Sequence, residues 1–218
     1  MSFSSSPVSE KLVTDTWMKA SWEEFLALAD HPDYEKGKFY YHQDYMRIEM
    51  AAVGPLHGRE NSVVSRVVNF HTAFRNIRMV ELINASFRKP SIVEFQPDLS
   101  YYIGSEFRLP PRTNTPINLN EFDPPALVIE IGASSISDDL GQKRLIYERS
   151  GVQEYWVVDA SIYDTIAFEI SDRRSGEIQE SRVLPGLSMA LVEEALKRSE
   201  TQDDGEINRW LIQTFSQI

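Results

Sequence analysis

Residues 126–160 read ALVIEIGASSISDDLGQKRLIYERSGVQEYWVVDA. The opening ALVIEI is a near-continuous apolar run, the pattern of a strand covered on both faces. A Ser-rich turn follows, and ISDDLGQKRLIYERS then places Ile136, Leu140, Lys143 and Tyr147 on one helical stripe, closed by Gly151. EYWVVDA returns to a strand pattern, and TIAFEI reads as a further strand.

Upstream, residues 1–16 read as a loose polar tail. SWEEFLALAD opens a helix with Ser21 as N-cap and Glu24 three residues on, a capping box. YEKGKFYYHQDYMRIEM reads as a hairpin turning at Gly37, and the spacing of Val63, Val64, Val67, Val68, Phe70 and Phe74 predicts a helix from His57 to about Arg78. MVELI and SIVEFQPDLSYYI read as strands, ahead of a Pro- and Asn-rich loop over 105–125. Downstream, LPGLSMALVEEALKRS predicts a helix, SETQDDGE a polar linker and INRWLIQTF a last amphipathic helix. This order predicts an α/β (α+β) fold, a mixed sheet flanked by helices with an N-terminal helix-hairpin extension. The expected organisation is a tail over 1–16, one domain over 17–198, and a linker and helix over 199–218.

The 218 residues, 42% apolar and 25% charged, suit a single compact domain. Cysteine is absent, so neither disulfides nor thiolate metal sites are available, which fits a reducing cytoplasm, and only four histidines could serve zinc. MSFSSSPVSEKL lacks the apolar stretch of a signal peptide, and no apolar run is long enough to span a bilayer, so no membrane association is expected. A net charge of -11 argues against a protein that coats nucleic acid, because non-specific phosphate affinity comes from accumulated Lys and Arg. Contact with DNA would have to be local.

Three residues sit where the local pattern does not want them. Glu130 interrupts the apolar run and must be paired, hydrogen-bonded, protonated or metal-bound if it is buried. A structural ion pair would explain it equally well. Asp98 follows Pro97, which cannot donate to a strand ladder and so marks an edge or bulge. Asp98 could also lie on the wet face of an amphipathic strand. Lys143 stands in an apolar helical seam, where stem snorkelling or an i,i+4 pair with Asp139 would account for it without chemistry. Taken together, two carboxylates that can hold hard cations and a lysine that can orient or deprotonate a water make a phosphodiesterase set. His57, Glu60, Gln96, Asp139 and Tyr147 are its accessory candidates.

The 126–160 stretch also resembles the signature of the Uma-two family, restriction-endonuclease-like proteins of the PD-(D/E)XK superfamily. The shared features are the strand carrying Glu130, Asp139 four residues before Lys143, Tyr147, and the run from Gly151 to Asp159. SWEEFL, the Gly37 hairpin, His57, Pro97-Asp98 and LPGLSM extend the likeness from about residue 20 to 197. The resemblance implies a restriction-endonuclease-like core, metal ligands at Asp98 and Glu130, Mg²⁺ or Mn²⁺ as cofactor, no organic cofactor, and DNA as substrate. A homodimer is expected from the need to cut two strands and from the aromatic-rich INRWLIQTF, which could pack on a partner. Gly132 stands where the superfamily pattern has its lysine. Lys143 is then the matching residue, with Gly132 leaving room for it. A non-catalytic nucleic-acid-binding module and a small-phosphoester hydrolase with a closed pocket are the competing readings. Convergence of Asp98, Glu130 and Lys143 on one point would favour the nuclease over the module.

Overall fold

Two six-stranded mixed sheets, rather than one, organise the chain. They were observed in a computed structural model that describes residues 14–50, 54–133 and 135–217, so most of the expected N-terminal tail lies outside the described residues.

The second sheet in sequence carries the deciding stretch. The strand β9 (Leu127–Gly132) pairs parallel with β10 (Glu154–Asp159) and antiparallel with β7 (Leu99–Ile103). β4 (Met79–Ile83) closes one edge on β7, while β11 (Asp164–Ser171) and β12 (Arg174–Ile178) close the other beyond β10. Leu127, Ile129 and Ile131 of β9 face a core shared with helix α2 (Pro55–Phe74) through Val63, Val64 and Val67. Val128, between them, faces a separate core with Tyr40, Tyr147 and Tyr155. That double coverage is why the strand reads as unbroken apolar sequence, and it puts the Glu130 side chain into the second core.

The connection from β9 to β10 is helical. A short turn α3 (Ile136–Asp138) leads into a single π turn over Asp139–Lys143 and then α4 (Arg144–Ser150), with Gly151 in the left-handed region at φ 87 as the stop. The π turn adds a residue to the repeat, and both Asp139 and Lys143 are buried. Such single-turn bulges recur at functional sites.

The other sheet contains β2 (Lys38–His42) and β3 (Tyr45–Glu49), an antiparallel hairpin. Its turn falls at Gln43–Asp44, both at positive φ, and not at Gly37, which precedes the first strand. The hairpin is no mere extension, because β2 pairs with β6 (Val93–Phe95) and joins the sheet that β5 (Phe87–Lys89) and β8 (Ile117–Asn118) continue. β1 (Met18–Lys19) sits at its edge, and helix α1 (Trp22–Ala29) packs Phe25 against Tyr41.

The stretch expected as one strand, SIVEFQPDLSYYI, is two. β6 belongs to one sheet and β7 to the other, and the chain changes sheet at Gln96, Pro97 and Asp98. Proline's missing N–H is tolerated there because the ladder is already interrupted. Side-chain parity therefore does not carry across Pro97, and Asp98 is not on the wet face of a strand.

The C-terminal helices α5 (Met189–Ser199) and α6 (Asp204–Ser216) pack on α2. Ile207, Leu211 and Phe215 of α6 are buried in the main core, so the apolar side that could have met a partner is used within the chain. Among the described residues no helix is long and apolar enough to cross a membrane.

Candidate active site

Strand register brings the two carboxylates together. Leu99 lies opposite Ile129 in the antiparallel β7–β9 pair, so Asp98, one step before Leu99, arrives beside Glu130, one step after Ile129. Asp98 Oδ2 accepts the backbone N–H of Ile131 at 2.8 Å, a buried bond that fixes the carboxylate. The β2–β6 pairing, with Tyr41 opposite Glu94, brings Lys38 and Tyr40 alongside the same crossover. Glu49 lies directly across from Lys38 in the hairpin.

Each carboxylate has one oxygen anchored and the other turned to a lysine. Glu130 Oε1 accepts hydrogen bonds from the Tyr40 hydroxyl at 3.0 Å and the Tyr147 hydroxyl at 2.5 Å. Its Oε2 faces Lys143 Nζ across 3.6 Å, beyond hydrogen-bond reach. Asp98, anchored on Ile131 through Oδ2, directs Oδ1 to the Lys38 ammonium and to His57 Nε2 at 3.1 Å. Lys143 itself is 2% exposed, 3.0 Å from both Glu49 Oε1 and Asp139 Oδ1, and lies over the Tyr40 ring. Asp139 is held from behind by the Ser135 hydroxyl at 2.7 Å. Arg47 closes the rim by bridging Glu49 and Asp138. Lys38 and His57, with 19% and 28% of their side chains exposed, mark the mouth.

Burial and charge act in opposite directions on these groups. Burial pushes the Glu130 carboxyl up to about 8, with Lys143 and Lys38 opposing and the Asp98 and Asp139 charges adding. Burial works the same way on Asp98, but the His57 hydrogen bond and the Lys38 ammonium outweigh it and hold the carboxyl below the usual carboxylate range. For Lys143, burial favours the neutral amine, yet Glu130, Asp139 and Glu49 raise it above its ordinary value. The amine therefore stays charged, suited to orienting a water or steadying a developing phosphorane and unsuited to deprotonating anything.

The donor set fits a hard divalent cation in kind. Both carboxylates offer oxygens: Glu130 Oε2, 3.6 Å from Lys143 Nζ, and Asp98 Oδ1, which faces Lys38 and His57. Among the described residues no three or more His, Asp or Glu side chains gather as a ligand set. Mg²⁺ commonly takes only one or two carboxylates and completes its shell with water and substrate phosphate.

Of the accessory candidates, His57 touches Asp98, Tyr147 touches Glu130 and Asp139 touches Lys143. Gln96 contributes only its backbone carbonyl, which accepts from Tyr40, while its side chain turns to Asn84. Glu60 is not brought to the cluster. It is buried one turn along α2 from His57, where Ser199 of α5 lies 3.5 Å away. The space that Gly132 leaves is taken by Ser135 rather than Lys143, since a Cβ there would stand 2.3 Å from the Ser135 hydroxyl and 3.5 Å from Asp139. Lys38, Tyr40 and Glu49 were not foreseen. The signal was the alternation of Lys38 and Tyr40 with Phe39 and Tyr41, which marks a two-faced strand.

Glu60 yields a test of its structural role. Burial raises its carboxyl above the usual range, so the folded state holds that proton more tightly than the unfolded chain and loses stability as pH rises from about 4. Glu60→Gln should therefore be more stable than the wild type at pH 8, with the advantage vanishing near pH 4, and should leave any cleavage activity intact. Urea denaturation at the two pH values measures this, and an equal difference at both would contradict it.

Residues 22–204 match a family described as "Uma2: Putative restriction endonuclease". Among solved structures, the chain is similar to the crystal structure of "a putative nuclease belonging to DUF820" from Anabaena variabilis ATCC 29413, with a TM-score of 0.54 and 19% identity over 81% of this chain and 98% of that one. That likeness is one of fold. No curated protein matches the sequence.

Proposed function

Since the chain belongs to the Uma2 family of putative restriction endonucleases, we propose that it is a metal-dependent endonuclease that hydrolyses DNA phosphodiester bonds. Asp98, Glu130 and Lys143 are its catalytic residues, and Asp98 and Glu130 hold Mg²⁺ or Mn²⁺. The observation that carries this reading is the pairing of two buried carboxylates, each with one oxygen anchored and the other facing a lysine amine.

When bound, the ion would act as a Lewis acid and lower the pKa of an attacking water. The protein's own groups do the positioning. Tyr40 and Tyr147 fix the rotamer of Glu130, and the Ile131 N–H fixes Asp98, so neither carboxylate has to reorganise when substrate arrives. Lys143, held charged by three carboxylates, steadies negative charge at the phosphorus. His57 stands at the mouth as a contact for the entering strand. A homodimer would supply the two sites that cutting a duplex calls for, and a cytoplasmic setting would supply both DNA and Mg²⁺.

One observation favours a second reading, a nucleic-acid-binding module without catalysis: Lys143 and Lys38 are already paired with acids of the chain. Calorimetric titration with Mn²⁺ separates the two. The wild type is expected to bind the ion and the Asp98→Asn, Glu130→Gln double variant to lose that binding. Equal binding by both proteins would refute the metal assignment.

A further inference from the structure

Lys38 occupies a place that the proposed chemistry needs. Its ammonium bonds Asp98 Oδ1, the carboxylate oxygen not anchored by Ile131. On Asp98 this positive charge fills the electrostatic role of a bound cation. The side chain comes from β2, remains 19% exposed and sits at the mouth, so a four-carbon stem can withdraw its head towards solvent. Lys143 cannot do this, because it is 2% exposed and enclosed by Glu49, Asp139 and Glu130. The two lysines therefore have different standing. One is built in, and the other is hinged at the opening.

We propose that Lys38 is a tethered counter-ion that holds the place of a divalent cation at Asp98, so that the cation binds by displacing its ammonium. This rests on the reading of Asp98 and Glu130 as cation-holding residues. Physically, it explains how a buried Asp98 is satisfied without metal: the lysine neutralises it until an ion takes over. Metal affinity is then set by a competition within the chain rather than by the carboxylates alone. The displaced ammonium, released at the mouth, becomes a free cation beside an incoming phosphodiester.

The test is Mn²⁺ titration calorimetry at one fixed pH on the wild type, Lys38→Met and Lys38→Gln. Methionine keeps the stem without the charge, and glutamine keeps a hydrogen-bond donor for Asp98. Both variants should bind Mn²⁺ at least about tenfold more tightly than the wild type, a modest return for removing a competing charge from a partly buried carboxylate. Adding Asp98→Asn to Lys38→Met should abolish the gain. The Mn²⁺-induced rise in Tm should also be larger for the variants. Affinity that is unchanged or weaker in both variants, in a wild type that does bind Mn²⁺, overturns the role of Lys38 and leaves the nuclease reading standing. Absence of binding in all three proteins overturns both. A variant that folds only when Mn²⁺ is present supports the proposal, because the ion then does what the ammonium did. Failure of both variants to fold even with Mn²⁺ overturns it.

Discussion

Lys143→Met should lower folded-state stability by about 3–5 kcal/mol, the usual cost of removing one partner from a buried ion cluster. Retaining an apolar stem in a helical seam suggests from sequence alone that methionine is tolerated. The structure makes the stem the smaller part of the account. Three carboxylates, Glu49, Asp139 and Glu130, converge on this one amine at 3.0, 3.0 and 3.6 Å, and Asp139 and Glu130 are themselves buried. Without the ammonium, they must either remain charged in a poorly solvated site or take up protons. Asp139 and Glu130 already have carboxyls raised above their ordinary values by burial, and losing Lys143 raises them further. A raised carboxyl weakens the folded state as pH climbs above its unfolded pKa, so the penalty should be greatest at alkaline pH and shrink towards pH 4. Urea denaturation of both proteins at pH 8 and pH 4 measures it. A loss under about 1 kcal/mol at pH 8 would mean that the carboxylates find other partners and that Lys143 is not what holds the cluster. Under conditions where the variant is folded, cleavage should also slow by about 10²–10⁴-fold.

Much of this arrangement was written locally in the sequence. The apolar run over β9 announced a strand covered on both sides, and the Ser21–Glu24 capping box announced α1, because both depend on neighbours a few residues away. Pro97 correctly marked an interruption, but what was interrupted could not be read. Whether a strand bulges or leaves for another sheet is decided by the pairings of β6 with β2 and of β7 with β4 and β9, which are long-range. The same holds for the hairpin. Its alternation was visible, but its role as one wall of the site depends on β2 pairing with β6 just before Asp98.

Buried glutamates show the limit most clearly. Glu94, Glu130 and Glu154 all lie in apolar strand sequence and all are buried. Glu154 is satisfied by the Trp156 indole and by the backbone N–H groups of Arg182 and Val183, a purely structural solution. Glu94 is paired with Arg88 in the neighbouring strand. Among these three, Glu130 alone lies beside a second buried carboxylate, Asp98, and faces a lysine, Lys143. Local pattern cannot separate these cases, because the partners come from Asp98 and Lys143, far apart in sequence. Gly132 is a similar case. Its lack of a side chain pointed to a close approach, but the group that approaches is Ser135.

Cleavage of closed circular plasmid DNA tests the central claim most directly. Purified wild type with Mg²⁺ or Mn²⁺ should convert the supercoiled form to open-circular and linear products, and chelation of the ion should stop it. Glu130→Gln keeps the shape of the side chain and can still accept from Tyr40 and Tyr147, but it removes the charge that would hold the cation. Its rate should fall by about 10²–10⁴-fold, the scale on which removing one proton-transferring or charge-stabilising group acts. Because burial penalises the charged carboxylate, the amide should fold at least as well at neutral pH, so lost activity would not reflect lost structure. Metal-dependent nicking by the wild type, absent in Glu130→Gln, is the predicted result. No cleavage by the wild type with either ion, or equal cleavage by the variant, would contradict the assignment of this cluster as a nuclease active site.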